Sequence, residues 1–355
     1  MPDFILNGQA HGDVADRLMA NGFDPGALRP FLGKDGHSYV TVNRGGKPSI
    51  LRTNTAATLR HEEWLHIDQA IVKAARQRLK VVADLRSRGL EYVIPNGMGS
   101  TSLLTEKMSD PGEAQVSMDG LRESSNDRPQ YDSVNLPLPI IHHDWSMSAR
   151  QLATGRQAGT PIDTSMGEAV ARRVSEEVEK LTLGVSTVAN QFKYAGGTLY
   201  GISDFPQNGT QTLTAPTASG WTPATTLQEV LEMKQTAFTA RHYGPFALYV
   251  STAWDQYLER DYSSSYSGET LRTRLQKVDG IAIVQDVDFL NGYVMALVQL
   301  TSDVIRMVVG MEIVTVQWDS NGGLKKNFKV MCIMVPQIRS DYNGRCGIVY
   351  GSTSL

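Results

Sequence analysis

Two cysteines in 355 residues, Cys332 and Cys346, are too few for a disulfide framework. That excludes a small stapled secreted scaffold and fits a reduced, cytoplasmic setting. No apolar run reaches the roughly eighteen residues needed to span a bilayer. The opening MPDFILNGQAHGD lacks a basic region followed by a hydrophobic core, so it does not read as a secretory signal. An excess of positive charge is missing too: 34 Lys and Arg stand against 37 Asp and Glu, a net of −3. A dedicated nucleic-acid binder draws its affinity mainly from a strongly basic surface, so the balance argues against one. What the length does allow is a large core, divided into two or three structural units.

Motifs that carry chemistry are equally scarce. His61-Glu62-Glu63-Trp64-Leu65-His66 is one residue too long for H-E-x-x-H. Histidines five apart on a helix point about 140° away from each other, so they cannot share an ion. His142-His143-Asp144 falls on an expected strand, where successive side chains face opposite sides. Gly97-x-Gly99 lacks the third glycine and the strand-to-helix context of a dinucleotide site. No G-x-S-x-G, P-loop or paired-cysteine zinc set occurs. Cys332, among Val330, Met331, Ile333 and Met334, reads as a buried inert thiol. The expectation is no catalytic residue, no cofactor and no metal site.

What is present is organisation. Residues 135–184 read as an extended strand, a polar turn carrying Arg150, Arg156 and Gly159, and one long helix from Thr164 to Leu183. Thr164 and Ser165 with Glu168 make a capping box. Met166, Val170, Val174, Val178, Leu181 and Val185 recur at steps of four or three and share a face. Gly184 supplies a left-handed end. About twenty residues at about 1.5 Å each make a rod of roughly 30 Å. Arg172, Arg173, Glu176, Glu177, Glu179 and Lys180 are assigned to the other, solvated face.

Upstream, residues 1–57 are rich in Gly, Asn and Pro, with a short helix expected at Asp13–Asn21 and a strand at Ser38–Val42. Residues 58–89 read as one helix with Ile67, Ile71, Ala74, Arg78, Val82 and Leu85 along one face, stopped by Gly89. Its Lys73, Arg76, Arg78, Lys80, Arg86 and Arg88 outnumber its acids. Strands at Leu90–Ile94 and Ser133–Ile141 flank a long polar excursion, Asn96 to Gln130. Downstream, a Gly-containing segment spans Ala195–Ile202, a helix Thr226–Ala240, a buried strand Pro245–Val250, a short helix Thr252–Arg260 and a strand Gly280–Val284. Strands at Val304–Trp318, Asn327–Pro336 and Gly347–Tyr350 follow, the first two joined by an Asn321-Gly322-Gly323 turn.

This order, from Leu59 to the C-terminus, resembles the shell-forming proteins of the Hong Kong 97 type, the major capsid proteins of tailed bacteriophages and the related encapsulins. The resemblance implies an α+β fold with an N-terminal arm (1–57), an N-terminal helix and the start of an extended loop (58–95), and the extended loop itself (96–140). It further implies a peripheral domain (141–200 and 305–340) with a spine helix at 164–184, and an axial domain (201–304 and 341–355). The implied function is self-assembly into hexamers and pentamers of an icosahedral shell around double-stranded phage DNA, or alternatively an encapsulin nanocompartment around a cargo enzyme. The implied partners are other copies of the chain, scaffolding, portal and cement proteins, and packaged DNA through non-specific contact at the basic face of the first helix; no membrane is involved. The implied location is the virion capsid, assembled in the bacterial host cytoplasm. A structureless loop as long as 96–130 is unusual inside a compact monomer; here it is expected to project over a neighbouring subunit. Lys107 is the one lysine in that excursion; no motif gives it a covalent role.

Overall fold

A computed structural model describes residues 5–6, 9–10, 29–44, 47–53, 59–76, 79–110, 114, 116, 118, 128–158, 164–186, 192–263 and 266–353. The helix expected at Asp13–Asn21 lies outside them, as does Gly159. The chain divides into two compact units, 1–101 with 138–182 and 307–336, and 102–137 with 183–306 and 337–355.

In the first unit a four-stranded sheet runs in the order Ile141–Ser148, Lys325–Ile338, Ile305–Ser320, Glu91–Val93. The last pair is parallel, with Met307 opposite Glu91. Trp145 and Phe328 are register partners, and their rings stack 4.3 Å apart. The helix Ser165–Leu183 buries Val170, Val174, Val178 and Leu181, as its spacing requires. Gly167 lets it approach Trp145, because a Cβ there would sit 3.3 Å from the indole. Gly184 ends it with φ +79°. Two details depart from the sequence reading. Met166 is exposed, while Glu176 and Glu179 are buried, so the helix is enclosed on more than one face. Ser165 is the first helical residue, and the Thr164 hydroxyl meets the Glu168 carboxylate at 3.3 Å.

The expected helix over 58–89 is two helices, His61–Arg76 and Val81–Ser87. The Glu179 carboxylate accepts the free amides at the start of the second one, a cap that comes from far along the chain. The expected polar turn after Ser148 is also a helix, Ala149–Ala158. Ser148 and Gln151 cap it reciprocally: Gln151 N donates to Ser148 Oγ, and Ser148 N donates to Gln151 Oε1, both at 3.1 Å. Arg156 on that helix holds Glu63 through two bonds, at 2.8 and 2.5 Å.

Part of the N-terminal region belongs to this unit's own core. A second four-stranded sheet has the order Lys47–Arg52, Ser38–Arg44, Phe31–Leu32, Leu59–Arg60. Phe31 and Leu59 join the main cluster with Trp64, Ile67 and Ile71. Arg29 is buried over the Trp64 ring at 4.2 Å and pairs with Asp68 at 2.6 Å. Residues 29–44 and 47–53 are therefore docked on this unit, although the sequence shows little core there.

The second unit holds a five-stranded mixed sheet in the order Gly209–Thr212, Ile348–Ser352, Val294–Gln299, Phe246–Ser251, Ile281–Val287. Phe246–Ser251 is buried at every residue, as expected of a strand covered on both faces. Its antiparallel partner Val294–Gln299 was not expected from the sequence. The helix Pro223–Thr239 packs Val230, Met233 and Ala237 on this sheet. It starts three residues before the expected position, with Thr222 as cap and Pro223 at N1. The segment expected as one helix from Thr252 is a 3-10 turn, Thr252–Trp254, then a four-residue helix, Asp255–Leu258. The Gly-containing segment is a tight hairpin, Lys193–Tyr194 against Gly197–Thr198, with positive φ at Ala195 and Gly196.

Candidate assembly surfaces

The excursion expected to be structureless from Asn96 contains the strand Ser102–Met108, paired antiparallel with Tyr131–Pro137. Residues opposite each other in such a pair share a face. Leu104, Glu106 and Met108 therefore lie with Asn135, Ser133 and Tyr131 on one side. Leu103, Thr105 and Lys107 lie with Leu136, Val134 and Asp132 on the other. The second side is packed in part: Leu136 is buried and Lys107 Nζ donates to Ser340 Oγ at 2.6 Å, while Val134 and Asp132 are exposed. The first side shows Leu104, Met108 and Tyr131 at 63%, 56% and 63% exposure. At the root, Asn135 Nδ2 donates to Ala195 O at 2.8 Å, and Gly197 approaches so closely that a Cβ there would lie 2.1 Å from Asn135 O.

The first unit also exposes apolar side chains at several places. Ile50 and Leu51 stand on the edge strand Lys47–Arg52. Trp318 and Leu324 flank the turn Asn321–Gly323, with Lys329 Nζ 5.7 Å from the Trp318 ring centre.

The residues weighed for chemistry stay apart or play structural parts. His61 packs against Phe31, with ring centres 5.1 Å apart, and His66 is exposed. His142 and His143 are exposed on the edge strand; His142 Nδ1 lies 3.9 Å from Asp144 Oδ1. Gly97 crosses Gly310 so tightly that a Cβ on Gly97 would lie 2.2 Å from Gly310 O. Gly99 N donates to Asn96 Oδ1 at 2.8 Å in the following turn. Cys332 is buried, and burial pushes its thiol far above the ordinary range; burial pushes Cys346 up to about 12. Among the described residues no group of three or more His, Cys, Asp or Glu could hold a metal ion, and no helix is long and apolar enough to cross a membrane.

The basic face expected on 58–89 is partly neutralised. Arg86 bonds Glu312 and Glu91, and Arg88 bonds Asp84. Lys73 is exposed, whereas the side chains of Arg76 and Arg78 lie outside the described residues.

The model of the family described as "Family of unknown function (DUF6260)" matches residues 54–351. The type 1 encapsulin shell protein EncA of Myxococcus xanthus (strain DK1622) is 22% identical over 230 residues, 63% of this chain and 71% of that protein. A virus-like particle from Pyrococcus furiosus matches with a TM-score of 0.56 at 16% identity, over 81% of this chain and 98% of the other. The capsid of Myoviridae phage XM1 matches with a TM-score of 0.56 at 13% identity, over 74% and 90%. The capsid of the native GTA particle gives 0.53 at 13% identity, over 77% and 90%. At these identities the likeness is one of fold, and the fold is the α+β Hong Kong 97 type seen in capsids and encapsulin-like particles.

Proposed function

The chain belongs to the DUF6260 family, and on that premise we propose that it is a shell-forming structural protein, the major capsid protein of a tailed bacteriophage. Identical copies join head to tail into hexamers and pentamers and close an icosahedral shell around double-stranded DNA. The observation that carries this reading is the outer face of the hairpin. Leu104, Met108 and Tyr131 are exposed together on a strand pair. Covering such side chains with a neighbouring copy contributes roughly 1.5–3 kcal/mol for each one fully buried. Repeated around a shell, modest contacts sum, because each linked contact acts at high effective concentration.

The domain division that accompanies this reading assigns 141–200 and 305–340 to a peripheral domain and 201–304 with 341–355 to an axial domain. The hairpin serves as a strap between copies. Scaffolding, portal and cement proteins are the further partners, packaged DNA is touched non-specifically, and the virion forms in the host cytoplasm. The reading assigns the chain no catalysis, cofactor or metal.

The second reading is an encapsulin compartment around a cargo enzyme. The similarity to the Myxococcus shell protein favours it. The long excursion favours the capsid, because larger shells need more strapping. Electron microscopy of particles from the native source, with the 260/280 nm absorbance ratio, separates them. Closed shells rich in nucleic acid support the capsid, and closed shells holding one protein support the encapsulin. A compact monomer at every concentration would sink both.

A further inference from the structure

A seam of side chains joins the hairpin to residues 337–343 of the same unit. Gln337 Nε2 donates to Thr105 Oγ1 at 3.4 Å, and Lys107 Nζ donates to Ser340 Oγ at 2.6 Å. Farther out, Asn343 Nδ2 donates to Asp110 Oδ2 at 3.1 Å, and Tyr342 OH donates to Gln130 Oε1 at 2.9 Å. The order 105, 107, 110 against 337, 340, 343 shows the two segments running side by side in one direction. Yet among the described residues Ser102–Met108 shares its sheet with Tyr131–Pro137 alone. The seam is thus made by side chains, and its strength is graded. Gln337 and Ser340 are 3% and 7% exposed. The Gln337 Oε1 atom accepts Arg306 Nε at 2.6 Å, which fixes the amide so that its NH2 faces Thr105. The two outer bonds are solvent-exposed.

We propose that this seam is the positioning element of the strap. Gln337, Lys107, Tyr342 and Asn343 hold the hairpin on its own subunit, so that Leu104, Met108 and Tyr131 face a second copy of the chain. The proposal rests on the shell reading. A two-stranded hairpin by itself is marginal in water. Without the seam it is held mainly at its root, spends time in attitudes a neighbour cannot engage, and the apparent affinity falls by the competent fraction.

The test compares full-length wild type with a seam variant, K107M/Y342F/N343A, and a face variant, L104S/M108S. In unassembled subunits, hydrogen exchange reads the amides of 102–108 and 131–137; light scattering reads the concentration at half-assembly. The seam variant should keep the wild-type circular dichroism. Its hairpin amides should exchange about tenfold faster, the scale of one net hydrogen bond, and its half-assembly concentration should rise several-fold. The face variant should raise the assembly concentration with hairpin exchange unchanged. Wild-type exchange in the seam variant, or faster exchange with unchanged assembly, overturns the positioning role while leaving the shell reading intact. A seam variant that loses its global fold also overturns it, since the seam would then belong to the core. Wild type that never assembles sinks the shell reading, and the positioning role with it.

Discussion

The Glu179 carboxylate accepts the backbone N–H of Val81 at 2.6 Å and that of Val82 at 3.3 Å. A carboxylate from the long helix thereby caps the N-terminus of Val81–Ser87, where free amides and the helix dipole favour negative charge. Burial nevertheless outweighs the amide donors and the Lys80 charge, and raises the Glu179 pKa from 4.5 to about 7. The folded state then holds this proton more tightly than the unfolded chain. The contribution to stability is fully present below about pH 4.5 and is lost as the pH rises through about 7. Its full size is on the order of 3 kcal/mol. Urea midpoints of purified subunits at pH 5 and pH 7.5 should differ less in Glu179→Gln than in wild type; an equal difference would show that Glu179 does not titrate in this range.

Val174 is buried in the middle of the long helix. Val174→Asp places an unpaired charge there, at a cost of several kcal/mol. The protein should be insoluble or form no shells. Soluble variant with wild-type circular dichroism and normal particles would refute the assignment of that face.

Gly97 and Gly310 offer a ranked pair. A Cβ on Gly97 meets the Gly310 backbone at 2.2 Å, whereas a Cβ on Gly310 meets the Ile333 side chain at 2.9 Å and Gly97 Cα at 3.0 Å. Side chains give way more readily than backbone. Gly97→Ala should therefore lower the thermal midpoint more than Gly310→Ala, with costs of about 1–3 kcal/mol or above. The reverse order in calorimetry would contradict the close crossing.

The excursion can be shortened only beyond its paired strands. Deleting 102–122 would remove a strand of the hairpin, so the informative cut replaces 112–126 with two glycines. The subunit should fold, and shell yield or heat resistance should drop. Full-strength shells would remove the strapping role from the tip.

His66, His142 and His143 are exposed. Replacing each with Gln should change stability by no more than about 0.5 kcal/mol and leave particle contents unchanged. Loss of a stoichiometric metal from any of these variants, measured by atomic emission, would restore a functional role to that position.

Local signals were legible and distant ones were not. The long helix could be read because its cap, its spacing of three and four, and Gly184 all lie within its own sequence. Burial of Glu179 could not, because its partners, the amides of Val81 and Val82, lie nearly a hundred residues away. The same contact hid the break between the first two helices. Ser148-x-x-Gln151 is a capping box within its own sequence, but the segment after it is polar and short of apolar positions, so periodicity does not mark it as a helix. Val294–Gln299 is an apolar run behind Asn291-Gly292 that periodicity alone does not separate from a helix. The surface proposed here lies on a hairpin within the long polar excursion. The outward set Leu104, Met108 and Tyr131 emerges only from a strand register, which pairs residues more than twenty apart.

The division of the chain has a consequence for synthesis. Passing from 101 to 102, 137 to 138, 182 to 183, 306 to 307 and 336 to 337, the polypeptide leaves one unit for the other five times. Neither unit is a continuous stretch, and the strand at Glu91 waits for Met307 before it has its partner. On the ribosome, neither core can close until most of the chain has emerged. Polypeptides cut short at the C-terminus would present open sheet edges to one another. A nascent subunit thus stays unable to present finished contacts until nearly all of it has been made, which delays association with its siblings until translation is almost complete.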